Sequence, residues 1–127
     1  MNDRRAIFSD SEFEENIGYA RAVIDGNWVH VSGTAGFDYS TMTISDDVTE
    51  QLEQCLRNIG VALGQAGCTY EDVIRVRYLL RDRDDFEPCW PALRACFGKI
   101  RPAATMMVCG LADPRMKIEL EVTAHRP

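Results

Sequence analysis

The sequence predicts an α+β fold in which two helices lie on one face of a mixed β-sheet. Two stretches repeat apolar residues at intervals of three and four, as amphipathic helices do, and shorter stretches alternate apolar and polar residues like half-buried strands. The elements follow in the order ββαβαββ, and two helices can cover only one face of such a sheet. The uncovered face keeps apolar residues among its polar ones, which predicts a partner surface, most simply another copy of the chain.

The first elements are predicted to form a hairpin. Its strands are expected at Tyr19–Ile24 and Trp28–Thr34, because Asp25-Gly26-Asn27 between them is a strong turn signal. Residues 1–17 are polar and are expected to be an irregular surface arm, and residues 35–45 are expected to be a loop.

A long helix is predicted from residue 46 to residue 65. Ser45 or Asp46 suits its N-terminal cap, and Gly67 suits its end. Its apolar stripe consists of Val48, Leu52, Cys55, Leu56, Ile59, Leu63 and Ala66. Three cysteines at apolar helical positions are interpreted as small buried hydrophobic residues, namely Cys55, Cys89 and Cys96.

The second half of the chain predicts a strand, a helix and two further strands. Val73–Leu80 alternates, and the residues expected on its apolar face are Ile74, Val76, Tyr78 and Leu80. A second helix is expected to begin at Asp84 or Asp85, with its inward side formed by Phe86, Trp90, Leu93 and Phe97. The last two strands are expected at Ala103–Cys109 and Met116–His125.

Composition limits the classes of function. The length of 127 residues fits a single domain, 1–127, and the net charge of −6 disfavours DNA and RNA as partners, since nonspecific binding depends on clustered Lys and Arg. No apolar stretch approaches the roughly 20 residues that span a bilayer, and the N-terminus lacks a signal-peptide core, so a cytoplasmic protein without a membrane partner is expected. His30 and His125 lack metal-ligand spacing, and no glycine-rich phosphate loop is visible, so no metal and no cofactor are predicted.

The last strand carries two acids on one face. Apolar and polar residues alternate over residues 118–123, so Glu119 and Glu121 share the polar face. A carboxylate in this position can act as a general base or hold a hydrolytic water. The alternative, a solvated or salt-bridged strand acid, is the interpretation kept for Glu121.

Several short motifs together resemble the Rid (YjgF) family over nearly the whole chain. They are Gly18-Tyr19, Val31-Ser32-Gly33-Thr34, Leu56-Arg57-Asn58-Ile59, Arg81-Asp82, Arg101-Pro102-Ala103 and Lys117-Ile118-Glu119-Leu120-Glu121. No single motif is specific to the family, but their order and spacing together make the match specific. The resemblance implies a chorismate-mutase-like fold and a homotrimer whose sheets form a central barrel with three clefts between subunits. It also implies hydrolysis of 2-enamine or 2-imino acids to 2-oxo acids and ammonia.

The resemblance implies roles for individual residues as well. Glu119 matches the carboxylate that positions the attacking water, and Tyr19 matches a tyrosine that lines the cleft. Ser32 and Gly33 match the strand end whose backbone approaches the ligand, and Met106 stands where many members have cysteine. Considered by itself, Gly33 fits either a close approach to a ligand or a simple bend in the strand.

The chain departs from the family at the substrate-binding arginine. Deaminating members carry this arginine two residues after the proline of a Pro-Ala-Arg motif, and Pro102-Ala103-Ala104 puts Ala104 there instead. A guanidinium offers a carboxylate two parallel donors, which alanine cannot replace. Arg77 or Arg101 is a candidate substitute, and the alternative for both is an intersubunit salt bridge or a solvated charge.

The residues leave three functions open. The first is a trimeric enamine or imine deaminase in which Glu119 orients water, Tyr19 and Trp90 wall the cleft, and the substrate is not a simple amino-acid-derived imino acid. Core packing is the alternative role for Trp90. The second function is a trimeric module that binds a small molecule without turning it over. The third is ribonuclease activity or translation inhibition, which the net charge of −6 disfavours.

Overall fold

A six-stranded mixed sheet with a helical layer forms the fold, in a computed structural model that describes residues 4–127. The strands are β1 (Arg4–Ile7), β2 (Ala22–Asp25), β3 (Trp28–Ala35), β4 (Phe37–Asp38), β5 (Thr43–Ile44), β6 (Val73–Leu80), β7 (Ala103–Val108) and β8 (Ile118–His125). The helices are α1 (Val48–Gln65) and α2 (Phe86–Phe97), with short helical turns at Glu14–Gly18, Tyr70–Asp72 and Arg83–Asp85. The main sheet has the order β1-β2-β3-β8-β6-β7, and β4 and β5 pair separately. The predicted α+β class is confirmed.

The N-terminal segment differs from the predicted irregular arm. Arg4–Ile7 pairs antiparallel with β2 as the edge strand of the sheet, and Ile7 belongs to the core. Glu14 is buried in the turn that follows. Four residues are too few to show a strand period in the sequence, which is why this strand was not predicted. Residues 1–3 lie outside the described residues.

The predicted hairpin and first helix hold, with shifted ends. β2 begins at Ala22, and Gly26 in the turn has a φ of 61°, which favours glycine. The N-cap of α1 is Asp47, whose carboxylate accepts the Glu50 N–H at 2.9 Å, and not Ser45 or Asp46. Ser45 Oγ instead accepts the Asp47 N–H at 3.1 Å, so this side chain orders the residues just before the helix.

The helices pack on one face of the sheet and enclose the core. Alternate residues of β8 are buried there, as predicted, namely Ile118, Leu120, Val122 and Ala124. Ile74 was predicted to face this core, but it is 45% exposed, because the register of β6 against β8 shifts between Val73 and Arg75. Such an irregularity moves a residue to the other face without changing the sequence pattern.

Trp90 also lies elsewhere than the helical pattern predicted. The buried stripe of α2 contains Cys89, Leu93 and Phe97, spaced four residues apart, and Trp90 is one position off that stripe and 47% exposed. Its indole contacts the ring of Phe86 edge-on, with centroids 6.0 Å apart. Trp90 is therefore a partly exposed helix residue and not a core residue.

The cysteines behave as predicted for small apolar residues. Cys55 and Cys89 are buried and Cys96 is partly buried, and all three are free thiols. Burial raises the pKa of Cys55 to about 12, which keeps it protonated.

The opposite face of the sheet and the β7 edge are uncovered in the single chain. Every residue of β7 is exposed, including Met106, Met107 and Val108. These three side chains form an apolar strip along the β7 edge, and Ile74 on the neighbouring strand β6 is exposed as well. Among residues 4–127, neither helix combines the length and apolar character that crossing a membrane requires.

Candidate active-site cleft

A cleft of about 270 Å³ opens beside the end of β3 and the start of β8. Its walls are mostly apolar and come from three segments, with the side chains of Phe13, Ile17, Ala35, Phe37, Ala112 and Met116. Its polar groups are Tyr19, Tyr39, Asp113 and Glu119, and Gly33 forms part of the wall. Tyr19, Gly33 and Glu119, all predicted site residues, therefore lie together.

Gly33 lets the Glu119 carboxylate lie directly against the backbone of β3. A Cβ at Gly33 would stand 2.5 Å from Glu119 Oε1 and 3.0 Å from its carboxyl carbon. The register of β3 against β8 shifts between Val31 and Thr34, which places Gly33 in an irregular stretch of strand. The glycine thus serves a close approach, here by the carboxylate of the neighbouring strand.

The environment of Glu119 raises the pKa of its carboxyl group. Burial raises the pKa of Glu119, the neighbouring Glu121 carboxylate raises it further, and the Arg21 guanidinium acts in the opposite direction. Within residues 4–127, neither carboxylate oxygen of Glu119 receives a hydrogen bond. A carboxylate with a raised pKa and free lone pairs is suited to accept a proton from water.

Arg21 is a buried cation behind the cleft wall that sequence analysis missed. Its Nη1 donates to the carbonyl of Gly33 at 2.9 Å and to Thr34 Oγ1 at 3.0 Å. Its Nη2 lies 3.1 Å from Glu14 Oε2, and Nε donates to the same oxygen at 3.2 Å. These contacts commit the guanidinium to the protein and leave it away from the cleft surface.

Tyr39 is a second residue that the sequence did not single out. Its hydroxyl accepts the Ala35 N–H at 3.0 Å, and burial raises the pKa of Tyr39 to about 12. The phenol therefore stays protonated and keeps its own proton for another acceptor. Tyr39 lies between β4 and β5, in the stretch that was predicted to be a loop.

Comparison with known proteins supports the resemblance drawn from the motifs. Residues 10–126 match the family described as "Endoribonuclease L-PSP". The chain is 30% identical over 122 residues to the human 2-iminobutanoate/2-iminopropanoate deaminase, covering 94% of this chain and 89% of that protein. An uncharacterized protein of Streptomyces coelicolor is 33% identical over 123 residues, covering 96% and 92%.

Solved structures agree in fold. A Mycobacterium tuberculosis protein described as a member of the YjgF/YER057c/UK114 family aligns with a TM-score of 0.88 and 38% identity, over 97% of this chain and 99% of that one. RidA from a Psychrobacter species aligns with a TM-score of 0.86 and 27% identity, over 95% and 98%. This chain belongs to the Rid family.

Two residues marked by the Rid resemblance lie outside the cleft, on the open face of the sheet. Arg77 forms an ion pair with Glu121 at 3.0 Å, and both side chains are partly exposed to solvent. Ser32 donates its hydroxyl to the Ala20 carbonyl at 2.7 Å. Both residues line a separate shallow depression. Arg77 in the single chain is thus a surface cation paired within its own chain, whereas the alternatives foreseen for it were an intersubunit salt bridge or a solvated charge.

The remaining Rid positions lie on the opposite side of the sheet or at its edge. Ala104 and Met106 pair with Val76 and Tyr78 of β6, whose side chains point to the helical side, whereas Glu119 points away from it. Arg101 precedes β7 with a φ of 54° and is exposed. Within one chain, neither Ala104 nor Met106 lines the cleft that holds Glu119.

The missed residues of the Rid cleft come from segments without a readable period. Phe13 lies in the predicted arm, and Phe37 and Tyr39 lie in the predicted loop. The one available signal was Arg21, a charged residue at the start of an apolar strand with an acid, Glu14, seven positions earlier. Across residues 4–127, no cluster of His, Cys, Asp and Glu is arranged to hold a metal ion.

Proposed function

We propose that this Rid protein hydrolyses the C=N bond of a small imine, or of the enamine that tautomerises to it, and releases ammonia. The observation that carries the proposal is the Glu119 carboxylate, half-buried against Gly33 in a small apolar cleft with its pKa raised. The activity in the name of the 30% identical human deaminase is consistent with this chemistry.

The reaction needs one group that moves a proton to and from water. Glu119 takes a proton from the attacking water as its oxygen bonds to the imine carbon, and the π electrons of C=N move to nitrogen. The protonated Glu119 passes this proton to the nitrogen, which gives a neutral carbinolamine. Glu119 then takes the proton of the carbinolamine hydroxyl and delivers it to the nitrogen as the C=O bond forms, so that the C–N bond breaks and ammonia leaves. The sum is imine plus water giving carbonyl compound plus ammonia. General acid–base catalysis of this kind contributes typically 10²–10⁴-fold.

We further propose that the working form is a homotrimer with a completed cleft at each seam. The β7 edge exposes Met106, Met107 and Val108, an apolar strip of the kind that marks contact surfaces. When a neighbouring subunit covers this strip, Ala104 and Met106 of the strip come to lie at the cleft of that neighbour. Each cleft would then combine Glu119 of one subunit with β7 of another.

Light scattering tests the assembly. We expect three times the 14.3 kDa of one chain. Met107→Glu, which puts a charge into the strip, should give smaller species, whereas Arg57→Glu on the exposed face of α1 should not. A wild-type monomer would contradict the assembly.

The cleft as the chain presents it favours a substrate without a carboxylate. Among the lining residues that belong to the described part of the chain, 4–127, are two acids, Glu119 and Asp113, and no Lys or Arg. The nearby guanidinium of Arg115 pairs with Asp113 at 3.0 Å, and Arg21 is committed to Glu14. Electrostatic repulsion therefore opposes a 2-imino acid and favours a neutral imine or a cationic iminium.

A matched pair of imines tests the proposed activity. An amino-acid oxidase generates a 2-imino acid, and an amine oxidase generates the uncharged imine with the same side chain; semicarbazide traps whatever imine remains. We expect the protein to lower trapping of the uncharged imine more strongly. Binding of both compounds without faster hydrolysis of either would favour the alternative, a module that binds a metabolite without turning it over. The absence of a carboxylate clamp at Ala104 is consistent with that alternative.

Ala104→Arg should shift the preference toward 2-imino acids. A charged hydrogen bond contributes about 1.5–3 kcal/mol, so we expect kcat/KM for 2-iminobutanoate to rise about ten- to a hundredfold. Ala103→Arg is the control, because it adds the same side chain one residue earlier on the opposite face of β7. Equal effects of the two substitutions would show that bulk charge, and not a clamp at residue 104, is responsible.

A further inference from the structure

Arg21 connects several walls of the cleft through one buried group. Its side chain is 3% exposed, and its guanidinium contacts the carbonyl of Gly33 on β3 and the carboxylate of Glu14 on the preceding turn. The guanidinium carbon also lies 4.6 Å from the centroid of the Tyr39 ring and 5.7 Å from that of Tyr19. Three cleft residues thus meet a single cation.

Glu14 extends this connection to the segment that covers the cleft. Its carboxylate accepts the Ser9 N–H at 2.9 Å as well as the Arg21 contacts, and it is buried. Phe13 and Ile17, on either side of Glu14, form part of the cleft wall. The ion pair therefore fastens this segment to the sheet at the point where the cleft forms.

A buried ion pair is a costly way to gain stability alone. Removing two charges from water is expensive, and well-packed apolar residues of the same volume often stabilise a protein equally well or better. What an arginine adds is geometry, because its planar fork fixes several partners in defined directions. At Arg21 those partners are the carbonyl of Gly33 and the hydroxyl of Thr34.

We propose that Arg21, held by Glu14, is a positioning residue that sets the shape of the cleft around Glu119. It fixes the Gly33 peptide, against which the carboxylate of Glu119 lies, and it supports the Tyr19 and Tyr39 rings from behind. The inference rests on the proposed hydrolase activity for its kinetic readout alone.

The charge of Arg21 supports the same role. Arg21 acts to lower the pKa of Glu119, against burial and Glu121. The other titratable groups around Glu119 are a buried thiol of α1, two tyrosines and an acid, namely Cys55, Tyr19, Tyr39 and Asp113. Loss of the cation should therefore raise the pKa of Glu119.

Two variants separate geometry from charge. Arg21→Lys keeps the charge but loses the fork, and the double variant Arg21→Met with Glu14→Gln removes both charges so that no buried charge is left alone. Arg57→Lys on the exposed side of α1 is the control. Each protein is studied by melting, by kcat and KM on the uncharged imine across pH, and by ¹³C NMR titration of the Glu119 carboxyl, assigned with Glu119→Gln.

We expect Arg21→Lys to lower kcat at least about tenfold with KM little changed, since small misplacements of reacting groups are costly. In the double variant the NMR titration of Glu119 and the acid limb of the rate profile should both move to higher pH. Folded variants that keep the wild-type kcat and an unmoved Glu119 titration would overturn the proposal. If the wild type hydrolyses no imine, the hydrolase function fails, while the NMR titration still decides the role of Arg21.

Discussion

Glu119→Gln is expected to lower kcat/KM for imine hydrolysis by about 10²–10³-fold, with most of the loss in kcat. The amide has nearly the same shape as the carboxylate and still fits against Gly33, but it cannot accept a proton from water. The measurement is ammonia release under saturating and subsaturating imine. A glutamine variant that retains more than a third of the wild-type kcat would contradict the role assigned to Glu119.

The same substitution should stabilise the protein at neutral pH. The pKa of Glu119 is raised in the folded state, so folding binds the proton more tightly than the unfolded chain does, and stability falls as pH rises from the unfolded pKa through the folded one. Glutamine removes this penalty. We expect a higher melting temperature than wild type at pH 7 and a smaller difference at pH 4, which shows that lost activity is not lost folding.

Glu121→Gln is the matched control for Glu119. Both acids lie on the same face of β8, but Glu121 pairs with Arg77 on the open side of the sheet. Because Glu121 raises the pKa of Glu119, its removal should shift the acid limb of the rate profile to lower pH and keep the maximal rate within a few-fold. Equal losses of activity in the two variants would mean that either acid on this face of β8 supports catalysis, and not Glu119 in particular.

The sequence predicted best what a regular period determines. The two-residue alternation of β8 placed Glu119 on the polar face, and the four-residue spacing of α1 placed its buried side, because burial of a whole face enforces both patterns. Where the backbone is irregular, the sequence period no longer indicates which face of the sheet a residue occupies. The register shift next to Ile74 exposed a residue that the alternation assigned to the core.

The cleft was only half predictable for a related reason. Glu119 and Gly33 belong to regular strands and matched a family motif, whereas Phe13 and Tyr39 belong to short segments whose positions depend on tertiary contacts. In the sequence, Arg21 resembles an ordinary charged residue at a strand end, and only the tertiary structure shows that it pairs with Glu14. The departure from the motif drew attention to Ala104, but its pairing with β6 was needed to show that it lies on an edge strand.

Gly36 links β3 to β4 at a point where the chain touches helix α1. A Cβ at Gly36 would overlap the backbone oxygen of Gln51 and stand 2.5 Å from its Cα, so backbone and not a flexible side chain is in the way. The hydrogen bonds of the Gln51 side chain hold this residue in place. Its buried amide nitrogen donates to the Ser45 carbonyl at 2.7 Å and the Arg115 carbonyl at 2.9 Å, and its oxygen accepts the Lys117 N–H at 2.8 Å.

Gly36→Ala is therefore expected to destabilise the protein by about 3 kcal/mol, at the upper end of ordinary overpacking. For a chain of this length, that corresponds to a fall in melting temperature of roughly 10 °C, compared at equal protein concentration because assembly also contributes. Gly64→Ala is the control within α1, where an added methyl meets open space, and it should gain about 0.5–1 kcal/mol. Ala35 and Phe37, on either side of Gly36, line the cleft, so the Gly36→Ala protein that still folds should also lose activity. An unchanged melting temperature would show that β3 and α1 do not meet as closely as described.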